Sequence, residues 1–293
     1  MLLSIVTDEI SADLETSVEL AKEWGLTAVE LRGISDERFP RVSEFWKTRV
    51  PELLQKADMK VSAISSGLFK IPYPGLQPSG TRILRWEDNL VYRKFKSAEA
   101  LVRDHLENLL PMTFMAAKQL GVSTVVCFSF DRGEGVSSDA PVPQGVYDAL
   151  TEAAHQAEAE NITLVMEVEH ICWGDTGKNA ARIVEKIGSP ALGINWDPAN
   201  AYRAGEEYPF PEGYAAVRQM VRHVHFKDAR KNPFSGEKEF VFDGIIDWPG
   251  QIKALVNDEY SGYISVETHA QPKVAMARQS LAKLRNLIQE AQL

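Results

Sequence analysis

Glu167, Asp197, His225 and Glu267 each close a short apolar run: ITLVME (162–167), ALGINWD (191–197), VRHVHF (221–226) and YISVE (263–267). Three carboxylates and one imidazole make a hard, mostly oxygen donor set. Such a set suits one divalent metal ion of the Mn²⁺, Mg²⁺, Co²⁺ or Zn²⁺ type. The intervening segments are long enough to hold helices, as in consecutive strand–helix units of a parallel sheet, where sites lie outside the carboxyl ends of the strands. If the sheet closes into a barrel, four neighbouring strands aim these side chains at one point.

The elements needed to position them run the length of the chain. LLSIVT (2–7), TAVELR (27–32), KVSAISS (60–66) and STVVCFSF (123–130) bring the strand candidates to eight. Helices are expected at 13–25, 43–57, 101–121, 145–160, 177–188, 212–221, 248–257 and 272–291. In the first, Leu14, Val18 and Leu20 or Ala21 recur at helical spacing before Gly25 stops the run. Pro111 is expected to start a new segment or to kink its helix. The alternation predicts an α/β fold, one (β/α)₈ TIM barrel spanning residues 1–293. One stretch departs from it. GLFKIPYPGLQPSGTRILRWED (67–88) is broken by Pro and Gly yet rich in aromatics, so 67–100 is expected to be a long loop after the third strand, acting as a lid that excludes water.

Composition narrows the classes. With 44% hydrophobic and 25% charged residues over 293 positions, a sizeable core is affordable. No run approaches the roughly 18 apolar residues of a membrane helix, and MLLSIVTDEIS lacks a cationic leader, so a cytoplasmic enzyme is expected. Cys127 and Cys172 make neither a disulfide framework nor a zinc ribbon. A net charge of −9 disfavours a nucleic-acid partner. Long top loops make a second copy, in a homodimer, an expected partner.

TDEIS (7–11), AVELRG (28–33), SGLF (66–69), the E-x-E-H at 167–170, WDPAN (196–200), HVHFKD (223–228) and VETH (266–269) together resemble the xylose isomerase-like TIM barrel superfamily. That group contains sugar and sugar-phosphate isomerases and epimerases, inosose dehydratases and endonuclease IV. The resemblance implies a metal-dependent isomerase or epimerase whose partner is a small-molecule carbohydrate substrate, with Glu167, Asp197, His225 and Glu267 as ligands and Glu167 and Glu267 as its acid/base pair. Proton transfer next to a carbonyl needs a polarised oxygen, a base on one face and, for epimerisation, an acid on the other, so the chemistry is consistent with those roles.

Departures from the resemblance weigh against some branches. Where endonuclease IV has metal-binding histidines, this chain has Ser65-Ser66-Gly67, Phe128-Ser129-Phe130 and Asn200, so a trinuclear nuclease centre is not expected. Extra acidic ligands of the two-metal xylose isomerases have no clear counterpart, which favours one metal. An inosose-type dehydratase remains the enzymatic alternative, since a base that abstracts an α-proton can also drive loss of a β-hydroxyl. A catalytically inactive carbohydrate-binding barrel is the non-enzymatic one.

Other residues carry weaker signals. Glu169 shares the face of Glu167 and competes with it as ligand, and His223 competes with His225 but is read as a core histidine. His170, Asn200 and Lys227 are candidate substrate contacts; Lys227 has an ion pair with Asp228 or Glu267 as its alternative. Arg32 and Arg230 are candidate anion binders. His269 is read as either a support for Glu267 or a rim residue, and His105 and His155 as solvated. Phe69, Tyr73, Trp86 and Trp173 are candidates to cover a sugar face or the barrel mouth.

Overall fold

The computed structural model describes residues 1–77, 95 and 97–292. Eight parallel strands form its main sheet: β1 (Leu2–Ile5), β2 (Ala28–Leu31), β3 (Lys60–Leu68), β4 (Thr124–Cys127), β5 (Thr163–Glu167), β6 (Leu192–Trp196), β7 (Val221–Phe226) and β8 (Tyr263–Val266). From β2 to β8 each strand pairs with the next in sequence, and β8 pairs with β1. A parallel bridge between Val6 and Glu30 brings β1 against β2 and the two ends of the sheet together. The expected TIM barrel is the fold. The middle of the expected lid, including Trp86, lies outside the described residues.

Helices pack their apolar stripes onto the outer face of the barrel. The helix Leu14–Glu23 buries Leu14, Val18 and Ala21, one face at helical spacing. Asp13, Ser97, Thr176, Asp197 and Asp247 each accept the backbone N–H three residues on, which satisfies an orphan donor and fixes where a helix starts. Several buried polar side chains meet across the inside of the barrel. Ser4 and Ser62 share a hydrogen bond of 2.6 Å, and period-two alternation turns Glu30 on β2 and His223 and His225 on β7 towards one another. Among the described residues no helix is long and apolar enough to cross a membrane.

Several local expectations are corrected. β4 ends at Cys127, and Phe130, at φ +61°, already belongs to the loop. The helix expected at 212–221 is only a turn at Pro209–Gly213 followed by Tyr214–Val217; Pro211 forces Phe210 into an extended conformation. A helix at Pro198–Ala204 was not anticipated, although Asp197 followed by Pro198 is a cap followed by a first-turn proline. Nor was the hairpin Asp228–Lys231 with Lys238–Val241, which rises directly from β7. Pro111 sits in the first turn of Leu110–Leu120, just after a wide π turn at His105–Leu109.

His105 is buried, not solvated. Its Nδ1 accepts the Phe69 N–H at 2.9 Å and its ring stacks on that of Phe69. Burial, with Arg41 and Arg38 adding like charge, drives its pKa down to about 3. The unfolded value is near 6.5, so as pH falls below that the unfolded chain gains a proton the folded chain refuses. This contribution to stability is fully present above pH 6.5 and is lost on acidification, at up to about 1.4 kcal/mol per unit, until pH nears 3. His105→Asn is expected to flatten the decline of unfolding free energy between pH 6 and 4, measured by urea denaturation. Parallel declines in both proteins would refute this.

Candidate functional site

The four strand-end residues meet at the carboxyl end of the barrel. One ligand-type atom from each of Glu167, Asp197, His225 and Glu267 lies within 4.8 Å of the others, and all four are buried. Each is placed by its local structure. Glu167 ends β5 and Glu267 directly follows β8. Asp197 caps the helix Pro198–Ala204 by accepting the Asn200 N–H at 2.9 Å, so its carboxylate cannot swing away from the barrel axis without uncapping that helix. Asn200 also donates from Nδ2 to Asp197 at 3.0 Å and to Glu167 at 3.3 Å, tying the two carboxylates together.

Glu267 is surrounded by cations. Lys227 Nζ lies 2.5 Å from Oε2 and His225 Nδ1 3.2 Å from it, while the Oε1 side receives Arg32 and has His269 Nε2 at 3.3 Å. Burial opposes ionisation, yet Lys227, His269, His225 and Arg32 hold its pKa well below the usual carboxylate range. Arg32 binds Asp8 at 2.8 Å and Glu9 at 2.7 Å as well. It is therefore a clamp on three carboxylates of the chain itself, and it also borders the cavity beside the cluster. Lys227 also reaches Asp197 at 2.8 Å, and its ion pairs are with Asp197 and Glu267, not Asp228. Burial together with the neighbouring Glu267 and Glu167 pushes Asp197 up to about 6, against the pull of Lys227.

His225 bridges two groups. Its Nε2 is 3.1 Å from Glu30, while its Nδ1 is 3.2 Å from Glu267 and 3.7 Å from Glu167. A metal bound here would take the Nδ1 lone pair of a neutral His225 whose Nε2 proton is donated to Glu30, beside the carboxylate oxygens. The positive charge against these oxygens is that of Lys227 Nζ, 2.8 Å from Asp197 and 2.5 Å from Glu267. The donor set and its convergence fit a divalent metal, which would draw on Glu167, Asp197, His225 and Glu267.

A cavity of about 460 Å³ opens beside this cluster; Glu167, Glu267, Lys227, His170 and Asn200 line it. Glu169 lines it too, but Lys70 at 2.6 Å and His170 at 2.6 Å occupy its oxygens, and it is not part of the four-residue group. His269 lies between Glu9 and Glu267 and borders the cavity. Arg230 does not: it is exposed on the hairpin and paired with Glu239 at 3.0 Å. Phe69, Tyr73 and Trp173 pack elsewhere, and the aromatic walls are Phe128 and Phe240.

Glu30 is the residue that sequence reasoning missed. It is fully buried on β2, 2.9 Å from His223 and 3.1 Å from His225, and accepts a 2.6 Å hydrogen bond from Ser65. Its signal was the lone acid inside AVELR, two residues before Arg32 and hence on the same inward face. Glu30→Gln should lower divalent-metal affinity by about 10–100-fold, because the partner that orients His225 is weakened. Metal titration followed by isothermal calorimetry reads this directly, and unchanged affinity would mean that Glu30 serves packing alone.

The sequence matches the profile of the xylose isomerase-like TIM barrel family over residues 18–287. No curated protein matches it. Among solved structures, an L-ribulose 3-epimerase superposes with TM-score 0.71 at 17% identity, covering 100% of this chain and 96% of that one. The probable 3-DHS dehydratase AsbF of Bacillus anthracis gives 0.69 at 17%, covering 98% and 99%. A xylose isomerase-like TIM barrel protein from Mycobacterium smegmatis in complex with magnesium gives 0.69 at 14%, covering 100% and 97%. At these identities the likeness concerns the fold.

Proposed function

The chain belongs to the xylose isomerase-like TIM barrel family, and on that premise we propose that it is a divalent-metal-dependent isomerase or epimerase of a sugar, sugar phosphate or related polyol. The observation that carries this reading is the convergence of Glu167, Asp197, His225 and Glu267 from four consecutive strands on one point beside a cavity. A divalent ion held there would supply Lewis-acid polarisation of substrate oxygens, worth several kcal/mol in proton abstraction next to a carbonyl.

The chain's own residues do the rest. Glu167 ends β5 and Glu267 directly follows β8, the outer two of the four strands, so their carboxylates flank the space between. One takes the proton from the carbon next to the carbonyl, and the other serves the opposite face. Arg32 and Lys227 fix Glu267 in place, and Asn200 does the same for Glu167. His170 and Lys227, at the cavity wall, are placed to hydrogen-bond substrate hydroxyls. The fold likeness to a probable dehydratase supports a second reading, in which the same abstraction expels a β-hydroxyl.

Incubating the metal-supplemented protein in D₂O with ketoses, their phosphates and keto-inositols, read by NMR, tests both. Solvent deuterium at one carbon without loss of water is the expected result. Deuterium with loss of water would make the protein a lyase. No exchange into any of these compounds by the metal-loaded protein would remove the proposal.

A further inference from the structure

One aromatic ring lies among side chains from all four segments that follow β5 to β8. His170 comes after β5, Arg203 stands on the helix Pro198–Ala204 after β6, Lys227 comes after β7 and His269 after β8. Phe240 packs against each of them. Its ring centroid is 6.4 Å from that of His170, 5.3 Å from that of His269, 4.6 Å from Lys227 Nζ and 4.4 Å from the Arg203 guanidinium carbon. All five residues line the cavity. We propose that Phe240 is a positioning residue, whose ring holds His170, Arg203, Lys227 and His269 as one polar wall facing the substrate. This rests on the functional reading above and adds a residue to the same site.

The hairpin after β7 delivers this ring, and its base is tied down. Phe240 pairs with Ala229 in the hairpin register. Asp228 Oδ1 accepts the N–H of Ala229 at 2.9 Å and that of Ile246 at 3.1 Å, and the Ala229 carbonyl accepts the Ile245 N–H at 2.9 Å. Gly244 passes so close that a Cβ there would lie 2.2 Å from the Ala229 carbonyl oxygen. The second hairpin strand is fastened to the neighbouring helix as well. Lys238 Nζ donates to the Tyr202 carbonyl at 2.6 Å, which fixes Phe240 relative to Arg203, the next residue of that helix.

The contacts identify what the ring does. Arg203 and Lys227 lie over it, the place that a sugar's C–H face would take on an unoccupied aromatic wall, and His170 meets it T-shaped with the planes 82° apart. Such contacts draw on the ring quadrupole, which an aliphatic side chain of similar apolarity lacks. Three of the four neighbours also have ion pairs, but with different carboxylates: Glu169 for His170, Asp197 and Glu267 for Lys227, Glu9 and Glu267 for His269. Phe240 is a contact that all four share. It therefore sets their positions relative to one another, and in a proton-transfer site a misplacement of 1 Å can cost about 10²-fold in rate.

The test replaces the ring in the Mg²⁺-loaded protein, labelled with ¹³C in its histidine imidazoles and assigned through single His→Gln variants. Phe240→Leu keeps an apolar side chain and removes the quadrupole. Relaxation measurements should then show the order parameters of the His170 and His269 rings falling by about 0.2, the gap between ordered and flexible groups. Phe240→Tyr, which keeps the ring, should hold them at the parent's values, and His155 on the outer helix Gln144–Ala159 should not change in either variant. For any compound that exchanges solvent deuterium, Phe240→Leu should lower kcat by about 10–100-fold, with Phe240→Tyr recovering most of it. Phe240 is only partly buried, and Phe240→Met provides a second ringless variant should Phe240→Leu fail to fold. Histidine rings that stay ordered without the phenyl group, or a tyrosine variant as impaired as the leucine one, would overturn the proposal. Because the relaxation readout needs no substrate, it is separable from the proton-exchange test. Loss of ring order in a protein that exchanges none of the compounds would remove the isomerase reading alone, and full exchange activity in Phe240→Leu would remove this one alone.

Discussion

Glu267→Gln is expected to lose about 10²–10⁴-fold in turnover even at saturating divalent metal, the range typical of a lost general acid or base. An amide cannot accept or return a proton at neutral pH, so restoring metal occupancy does not restore the step. The geometry makes the substitution interpretable, because Arg32 keeps Asp8 and Glu9 as partners and Lys227 keeps Asp197, which leaves the surroundings of Glu267 paired when its charge is removed. Asp197→Asn should behave in the opposite way. Asp197 caps a helix and faces Lys227, a placement that suits a ligand, so its variant should bind metal weakly and recover substantially in excess metal. Initial rates against metal concentration separate the two patterns. Full recovery of Glu267→Gln would leave that residue as a ligand only. Proton exchange sharpens the test: losing one direction of exchange in Glu167→Gln and the other in Glu267→Gln is expected if they serve opposite faces. If both variants keep both exchange reactions, the base must be sought at His170, Lys227 or Glu169.

What could be read from the sequence, and what could not, divides along the range of the interactions involved. The strand ends were legible because an acid or imidazole closing an apolar run is a local pattern, and the alternation of strand and helix turns that pattern into a place in space. The clamp role of Arg32 was not. Its partners Asp8 and Glu9 lie on a turn after β1, more than twenty residues earlier, and only closure of the barrel at Val6 and Glu30 brings β1 beside β2. Read without those partners, an arginine at a strand end looks like an anion binder. Glu30 was hidden for the related reason that its partners, His223 and His225, are almost two hundred residues away. His105 was misread because the charged residues around it in sequence suggest a solvated helix face, whereas a π turn rotates it under Phe69. The hairpin after β7, which brings Phe240 over Lys227, depends on tertiary contacts that no periodicity records.

The largest stability effect is expected at Lys227. Its ammonium is buried, 2.8 Å from Asp197 and 2.5 Å from Glu267, and its backbone carbonyl is held by Trp248 Nε1 at 2.9 Å. Burial alone would lower its pKa, but Asp197, Glu267, Glu167 and Glu169 raise it, so the lysine is charged at neutral pH. Lys227→Met keeps most of the apolar stem and removes the charge, leaving buried carboxylates without their nearest cation. Removing one partner of a buried ion pair typically costs about 3–5 kcal/mol, because the remaining charge is neither paired nor hydrated. In chelator the variant should therefore unfold at clearly lower denaturant than the parent. The same oxygens are the proposed metal ligands, and in the parent the ammonium competes for them. Saturating Mg²⁺ or Zn²⁺ should then stabilise Lys227→Met by more than it stabilises the parent, as ligand-linked folding requires when the folded state alone binds the ion. Denaturant melts of both proteins, with chelator and with metal, measure the two differences. Equal stability in chelator would show that the ammonium does not offset the buried carboxylates, and a deficit that metal leaves unchanged would show that those carboxylates do not take a divalent ion.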